Sequence, residues 1–228
     1  MNLIISRSLL AFSLFFSFMS FAQQTPETTK VRSDTIAANM RNFRPRLLSL
    51  SLDTYMPIPA GDKFVGRGME GKLSFNFKAQ MFVYKQAFFK IGFGQTYFRV
   101  IDPSLTGNYK KTTVTNQDLS LGYEFLPINK VRLGLSVGII GNAEYLNKEN
   151  RNGRDRGFQN DTAKLNVYEL YIDYEVFYFM SLTFNYAYRN DRTNINVPQE
   201  LQASFDRAQF HNLGIGLKFY IGDNNLFY

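Results

Sequence analysis

KLSFNFKAQMFVYKQAFFKIGFGQTYFRV, residues 72–100, carries the pattern that decides the fold. Leu73, Phe75, Phe77, Ala79, Met81 and Val83 alternate with Ser74, Asn76, Lys78 and Gln80, and only Phe82 breaks the rule. Side chains along a strand point to opposite faces in turn, so period two predicts one greasy face and one polar face. After a break at KQA the pattern resumes, with Phe89, Ile91, Phe93 and Tyr97 against Gly92, Gly94 and Thr96. Each run suffices for a tilted strand to cross a bilayer, which takes ~9–11 residues. One such hairpin suggests a transmembrane barrel, and the rest of the chain decides whether it can close.

Working outward, the same alternation recurs. Ahead of the hairpin, Arg46–Pro57 sets Leu48, Leu50 and Leu52 against Ser49, Ser51 and Asp53. The hairpin itself supplies Lys72–Tyr84 and Phe88–Ile101. Beyond it come Val114–Leu126, Val131–Tyr145, Leu165–Phe177, Ser181–Arg189 and Gln209–Ile221. The count is even, and connections alternate between long polar stretches and short turns. Up-and-down barrels of the outer membrane have that layout, with short turns at the periplasmic end and longer loops outside. The expected fold is therefore all-β: an eight-stranded antiparallel up-and-down transmembrane barrel.

A soluble barrel or sandwich would also alternate, but with its apolar face turned inward. Two features oppose that here. The polar faces carry charges of both signs: Lys78, Asp118, Glu124, Arg132, Glu169, Asp173, Glu175, Arg189 and Lys218. Glycines gather on the same faces, at Gly92, Gly94, Gly134, Gly138, Gly214 and Gly216. An eight-stranded interior is just wide enough for side chains to fill it, so small residues and paired charges suit that lumen. These nine charges are expected to form a lumen network, with Lys78 seeking a carboxylate. In lipid the sheet must close, because an open edge strands backbone groups in hydrocarbon.

Aromatic residues fall near the expected interfaces. Tyr84, Phe88, Phe89, Phe125, Phe177, Tyr178 and Phe179 lie by the short turns, and Tyr97, Phe98, Tyr145 and Tyr188 lie toward the long loops. They are candidate girdles. Ordinary barrel aromatics with no interfacial duty remain the alternative.

The N-terminus reads as an export signal. Arg7 precedes an apolar run from Leu9 to Phe21, and Ser20-Phe21-Ala22 offers small residues at the cleavage-recognition positions. That run is too short for a spanning helix of ~20 residues. The expected organisation is a signal peptide at 1–22, a flexible periplasmic leader at 23–43, the barrel at 44–221 and a tail at 222–228. With Arg7 removed, the formal charge of +7 becomes +6. The basic residues are interleaved with Asp and Glu, without a recognition helix or zinc-ligand pattern, so nucleic acid is not an expected partner. Cysteine is absent, which excludes disulfides, thiolate metal sites and a lipidated N-terminal Cys.

In layout and local pattern the chain resembles the small outer-membrane β-barrels of Bacteroidota, the porin-family or OmpA-like barrel domain. The resemblance rests on FMSFAQQ (18–24), LSLSLD (48–53), GKLSFNFKAQMFVYKQ (71–86), FFKIGFGQTYFRV (88–100), LGYEFLP (121–127) and LGIGLKFYI (213–221). It implies residence in the outer membrane, a periplasmic N-terminus and extracellular long loops. It also implies contact with lipid and lipopolysaccharide, and insertion by the outer-membrane assembly machinery. Phe219 or Tyr220 is the candidate terminal aromatic for that machinery, and Tyr228 restores an aromatic end after GDNNLFY. Another envelope protein stays open as a partner.

Chemistry has one candidate centre. His211 is the only histidine, placed by alternation on the lipid-facing side near a rim, and Ser204 and Asp206 are its nearest triad-type companions. Nothing in their spacing positions them, so no catalytic, metal or cofactor residues are expected. The reading is a non-enzymatic barrel with a structural, surface-recognition or envelope-complex role. A narrow pore and a lipid-modifying enzyme are the alternatives. The stretches Asn147–Lys164 and Asn190–Arg207 are the longest expected loops and the place for recognition.

Overall fold

The structure, a computed structural model, describes residues 46–151 and 154–222. The expected signal peptide, the leader and residues 223–228 lie outside them. Eight strands run in chain order: β1 Leu48–Ala60, β2 Met69–Tyr84, β3 Ala87–Val100, β4 Lys111–Ile128, β5 Val131–Arg151, β6 Arg154–Phe177, β7 Met180–Thr193 and β8 Arg207–Ile221. Three one- or two-turn helices sit between them: α1 Phe64–Gly68, α2 Pro103–Thr106 and α3 Gln199–Phe205. Each strand pairs with its sequence neighbours, and β1 pairs antiparallel with β8, so the sheet is a closed barrel.

The greasy faces point outward. Leu73, Leu170, Phe93, Phe184 and Leu213 are among the many large apolar side chains that stand exposed on the outer wall. A soluble barrel buries such rows, so this inside-out distribution identifies a transmembrane barrel. The ten residue steps from Ile221 up to His211, at ~3.3 Å each and a tilt near 40°, span ~25 Å, the height of a lipid belt.

Glycine lets the interior be filled across strands. Tyr171 lies over its register partner Gly134, where a Cβ would come within 1.9 Å of the ring. Phe88 covers Gly122, Asp118 covers Gly92 and Asp53 covers Gly216, each pair directly opposed in register. A large side chain thus fits the lumen because its neighbour has none.

The expectation of a long loop at Asn147–Lys164 is corrected. There β5 and β6 keep pairing, from Asn142↔Lys164 to Arg151↔Arg154. Hydrophobic alternation reports a greasy face, and here the inward residues flanking the hairpin, such as Asn147 and Ala163, are polar or small, so the stretch gave no strand signal. Within β5 the register shifts between Val137 and Asn142, and the bulge leaves Ile139 and Ile140 both exposed. The stretch Asn190–Arg207 likewise begins as strand, since β7 continues to Thr193, and then forms α3.

Candidate functional site

The lumen is where the charged residues converge, and it is layered. At its middle, Lys78 Nζ on β2 lies 2.7 Å from Asp53 on β1 and 2.6 Å from Glu169 on β6. Lys90 on β3 reaches the other oxygen of Glu169 at 2.6 Å and Ser136 on β5 at 2.5 Å. Glu169 therefore bridges two ammonium groups, each almost fully buried. Buried ions of this kind are tolerated only when paired and hydrogen-bonded, and here they are.

Toward the short turns a second cluster forms. Arg132 pairs with Glu124 at 2.9 Å, and Lys218 pairs with Asp173 at 2.6 Å and lies 3.9 Å from Glu124. The Tyr171 hydroxyl donates to Glu124, and the Tyr220 hydroxyl to Asp173. Arg46 and Arg132 stack against the Tyr220 ring, and Phe88 packs T-shaped on Phe82 and tilted against Tyr171. Glu175 sits at this rim, partly buried, 3.5 Å from Arg46.

Toward the long connections, Arg189 on β7 holds Asp191 at 2.7 Å and donates across the lumen to Asn116 on β4. The Tyr145 hydroxyl on β5 closes on Asp191, and that of Tyr55 on β1 meets Thr96 on β3 at 2.6 Å. Above these polar groups the mouth is filled by an apolar plug. Phe64 and Val65 of α1, Tyr109, Ile195, Phe98 and Phe210 belong to one buried cluster, with Phe64 stacked on Phe205 at 5.0 Å. Burial pushes the Tyr109 hydroxyl pKa up, and the charge of Asp161 adds to it. Outside the mouth, Asp102 caps α2 through Ser104, and those hydrogen bonds hold its carboxyl below the usual range.

Of the nine charges picked out from sequence, Lys78 and Glu169 meet in the middle layer, and Glu124, Arg132, Asp173 and Lys218 meet below. Arg189 lies in a separate upper layer. Asp118 accepts from Ser120 at 2.7 Å, and no cation stands within ion-pair reach of it among the described residues. Sequence reasoning passed over Asp53, Lys90, Asp191 and Arg46. Strict alternation locates Asp53 and Lys90, since both share the parity of inward neighbours.

Three expected girdle aromatics are corrected in the same way. Phe88, Phe98 and Tyr145 are buried inside, while Tyr84, Phe89, Phe125, Phe177, Tyr178 and Phe179 do face outward. Phe82, which broke the alternation, keeps the strand phase and is a lumen residue. His211 lies on the outer wall, its Nδ1 2.8 Å from the Tyr186 hydroxyl and its ring against Tyr186 and Tyr188. Ser204 is exposed on α3, and Asp206 pairs with Lys63 and Arg207, so these three residues form no relay. Among the described residues no three His, Asp or Glu groups gather as a metal ion requires.

A cavity of ≈ 910 Å³ runs along β2 to β7, lined by Phe77, Phe93, Asn116, Asn142, Thr162 and Arg192, whereas the voids among the lumen charges are small. A polar cavity of ≈ 30 Å³ lies among Asp53, Asn76, Asp118, Asn185 and Asn212, and a second of ≈ 10 Å³ lies beside Thr183. Each holds at most a water or two, at ~10–15 Å³ per water.

Solved structures share this architecture. Neisserial surface protein A matches with a TM-score of 0.55 at 13% identity, covering 76% of this chain and 97% of that one. The outer membrane protein OprG from Pseudomonas aeruginosa matches at 0.52 and 12% identity, covering 78% and 97%. Identities this low establish a common fold: a small outer-membrane β-barrel. No family model matches the chain. No curated protein matches it either.

Proposed function

We propose that the chain is a sealed outer-membrane barrel that serves as a structural and surface-presenting element of the envelope, not as a solute channel. The observation that carries this reading is the set of direct contacts across the lumen. They occur in the middle layer, Lys78 to Glu169, and above it, Arg189 to Asn116. Aromatic and apolar plugs lie beyond them at the two ends. A narrow pore would need those contacts to part.

In this reading the short turns face the periplasm and the end bearing α1, α2, α3 and the β5–β6 hairpin faces outward. The apolar wall contacts lipid and lipopolysaccharide. β8 presents Phe219 on its outer face, a fitting terminal aromatic for the assembly machinery. Kinship with the Bacteroidota porin-family barrels belongs to the same reading, on the strength of the strand motifs alone.

Because the chain has no cysteine, single labels test the orientation cleanly. Gln202→Cys on α3 should react with a membrane-impermeant maleimide on intact cells, and Asn129→Cys in a short turn should react only after lysis. The opposite labelling would overturn the orientation. Sugar-induced swelling of proteoliposomes tests the seal, and swelling above protein-free vesicles would overturn it.

A further inference from the structure

The outer wall of β6, β7 and β8 repeats one feature that the barrel itself does not require. Lys164, Arg192 and Arg207 are direct cross-strand partners in succession, Lys164↔Arg192 and Arg192↔Arg207, and all three are exposed. Like charges opposed in register are destabilising. Only Arg207 has a carboxylate near it, Asp206 at 3.8 Å, which Lys63 also approaches at 3.4 Å. Among the described residues Lys164 and Arg192 have none within ion-pair reach.

Below this row the same three strands change character in register. Asn166, Asn190 and Gln209 form the next outward row, then Tyr168, Tyr188 and His211, then Leu170, Tyr186 and Leu213. The tyrosine row is ordered: Tyr168 stacks on Tyr188, which packs on His211, and Gln209 donates to the Tyr188 hydroxyl at 3.0 Å. From hydrocarbon outward the wall thus runs aliphatic, aromatic, amide, cationic. A membrane lipid has the same order of chemistry along its length: acyl chain, polar backbone and anionic headgroup.

We propose that this wall is a binding site for a phosphate-bearing lipid of the surrounding leaflet. Lys164, Arg192 and Arg207 hold the phosphate oxygens, Arg192 central between two cationic neighbours. The amide row meets the polar backbone of the lipid, and Leu170 and Leu213 lie along its chains. Bound phosphate relieves the repulsion within the cation row, which explains why three bases share one register with only one carboxylate beside them. A lipid, not free phosphate, is the occupant because the cations continue an acyl-compatible surface. The inference rests on the membrane reading above.

The test is native mass spectrometry of the folded, detergent-solubilised barrel with diphosphoryl lipid A, phosphatidylcholine or inorganic phosphate. The site predicts retained lipid A, weak retention of phosphatidylcholine, and no displacement by millimolar inorganic phosphate. K164Q/R192Q/R207Q should lower lipid A retention at least tenfold. R99Q/K111Q/K148Q removes the matching cation row of β3, β4 and β5, where Glu70 already pairs with Arg99 and Glu144 adds a carboxylate two outward positions below Lys148, and should lower it less than twofold. R192Q alone, expected to lose several-fold, serves if the triple variant fails the folded-band gel test. Equal losses in the two triple variants, undiminished binding by K164Q/R192Q/R207Q, or equal retention of phosphatidylcholine would overturn the site. None of these substitutions touches the lumen, so a leaky barrel that still binds lipid A would sink the sealed-barrel reading and leave this one standing.

Discussion

Lys78 on β2 and Glu169 on β6 meet at 2.6 Å although the two strands are four places apart either way around the ring. In an eight-stranded barrel those positions are diametrically opposed, so the pair is a strut across the full width of the lumen. Gln80 and Tyr171 make the same crossing one inward position nearer the short turns, at 3.1 Å.

Glu169 is the shared anion of Lys78 and Lys90, so its neutralisation should cost more than a surface pair. Glu169→Gln leaves Lys90 without its ion-pair partner in a buried site, and breaking such a pair costs ~3–5 kcal/mol. Adding Lys90→Met should recover part of that loss. Urea titration of the folded and unfolded gel bands measures both, and an additive double variant would contradict the shared-anion geometry.

Tyr171 occupies the space that Gly134 leaves open. Gly134→Ala should therefore destabilise by ~1–3 kcal/mol, the usual cost of overpacking. In a Tyr171→Ala background the same glycine change should be nearly neutral. Equal effects in both backgrounds would show that the ring does not depend on the glycine.

The strand count, the closing β1–β8 pair and the outward greasy face were legible from alternation, because lipid imposes period two on every strand that crosses it. Alternation failed where that constraint ends. Between Asn147 and Lys164 the described inward residues, Asn147 and Ala163, are polar or small, so the pairing there left little hydrophobic trace. Phe88, Phe98 and Tyr145 misled in another way. Position near a turn or loop suggested girdles, whereas parity with Lys90 and Thr96 places both phenylalanines inside. Which charges pair was not legible at all, since partners such as Lys78 and Glu169 meet through curvature, not through adjacency in sequence.

The mouth plug should be separable from the ion-paired middle. Phe98 is buried against Phe210 with ring centroids 5.4 Å apart. Phe98→Ala should cost ~3–5 kcal/mol if the site cannot collapse. By hydrogen exchange, α1 amides should lose protection while those flanking Glu169 keep theirs. Uniform loss across the barrel would contradict two independent layers.

Asp102 gives the loop end a defined acid response. Its carboxyl is held below the ordinary ~3.9 by the Ser104 hydroxyl and amide. A depressed carboxyl contributes its cap above the unfolded value and loses it as pH falls through the folded value. The Ser104 amide resonance should accordingly titrate with a midpoint below ~3.9, and Asp102→Asn should abolish the titration. A midpoint at or above the ordinary value would contradict the cap.

The central claim is that the lumen is shut by its own side chains. Planar-bilayer recording of the refolded protein addresses it most directly. The account predicts a current indistinguishable from the bare bilayer at neutral pH, with no stepwise openings. A steady single-channel conductance in the wild-type barrel would contradict it.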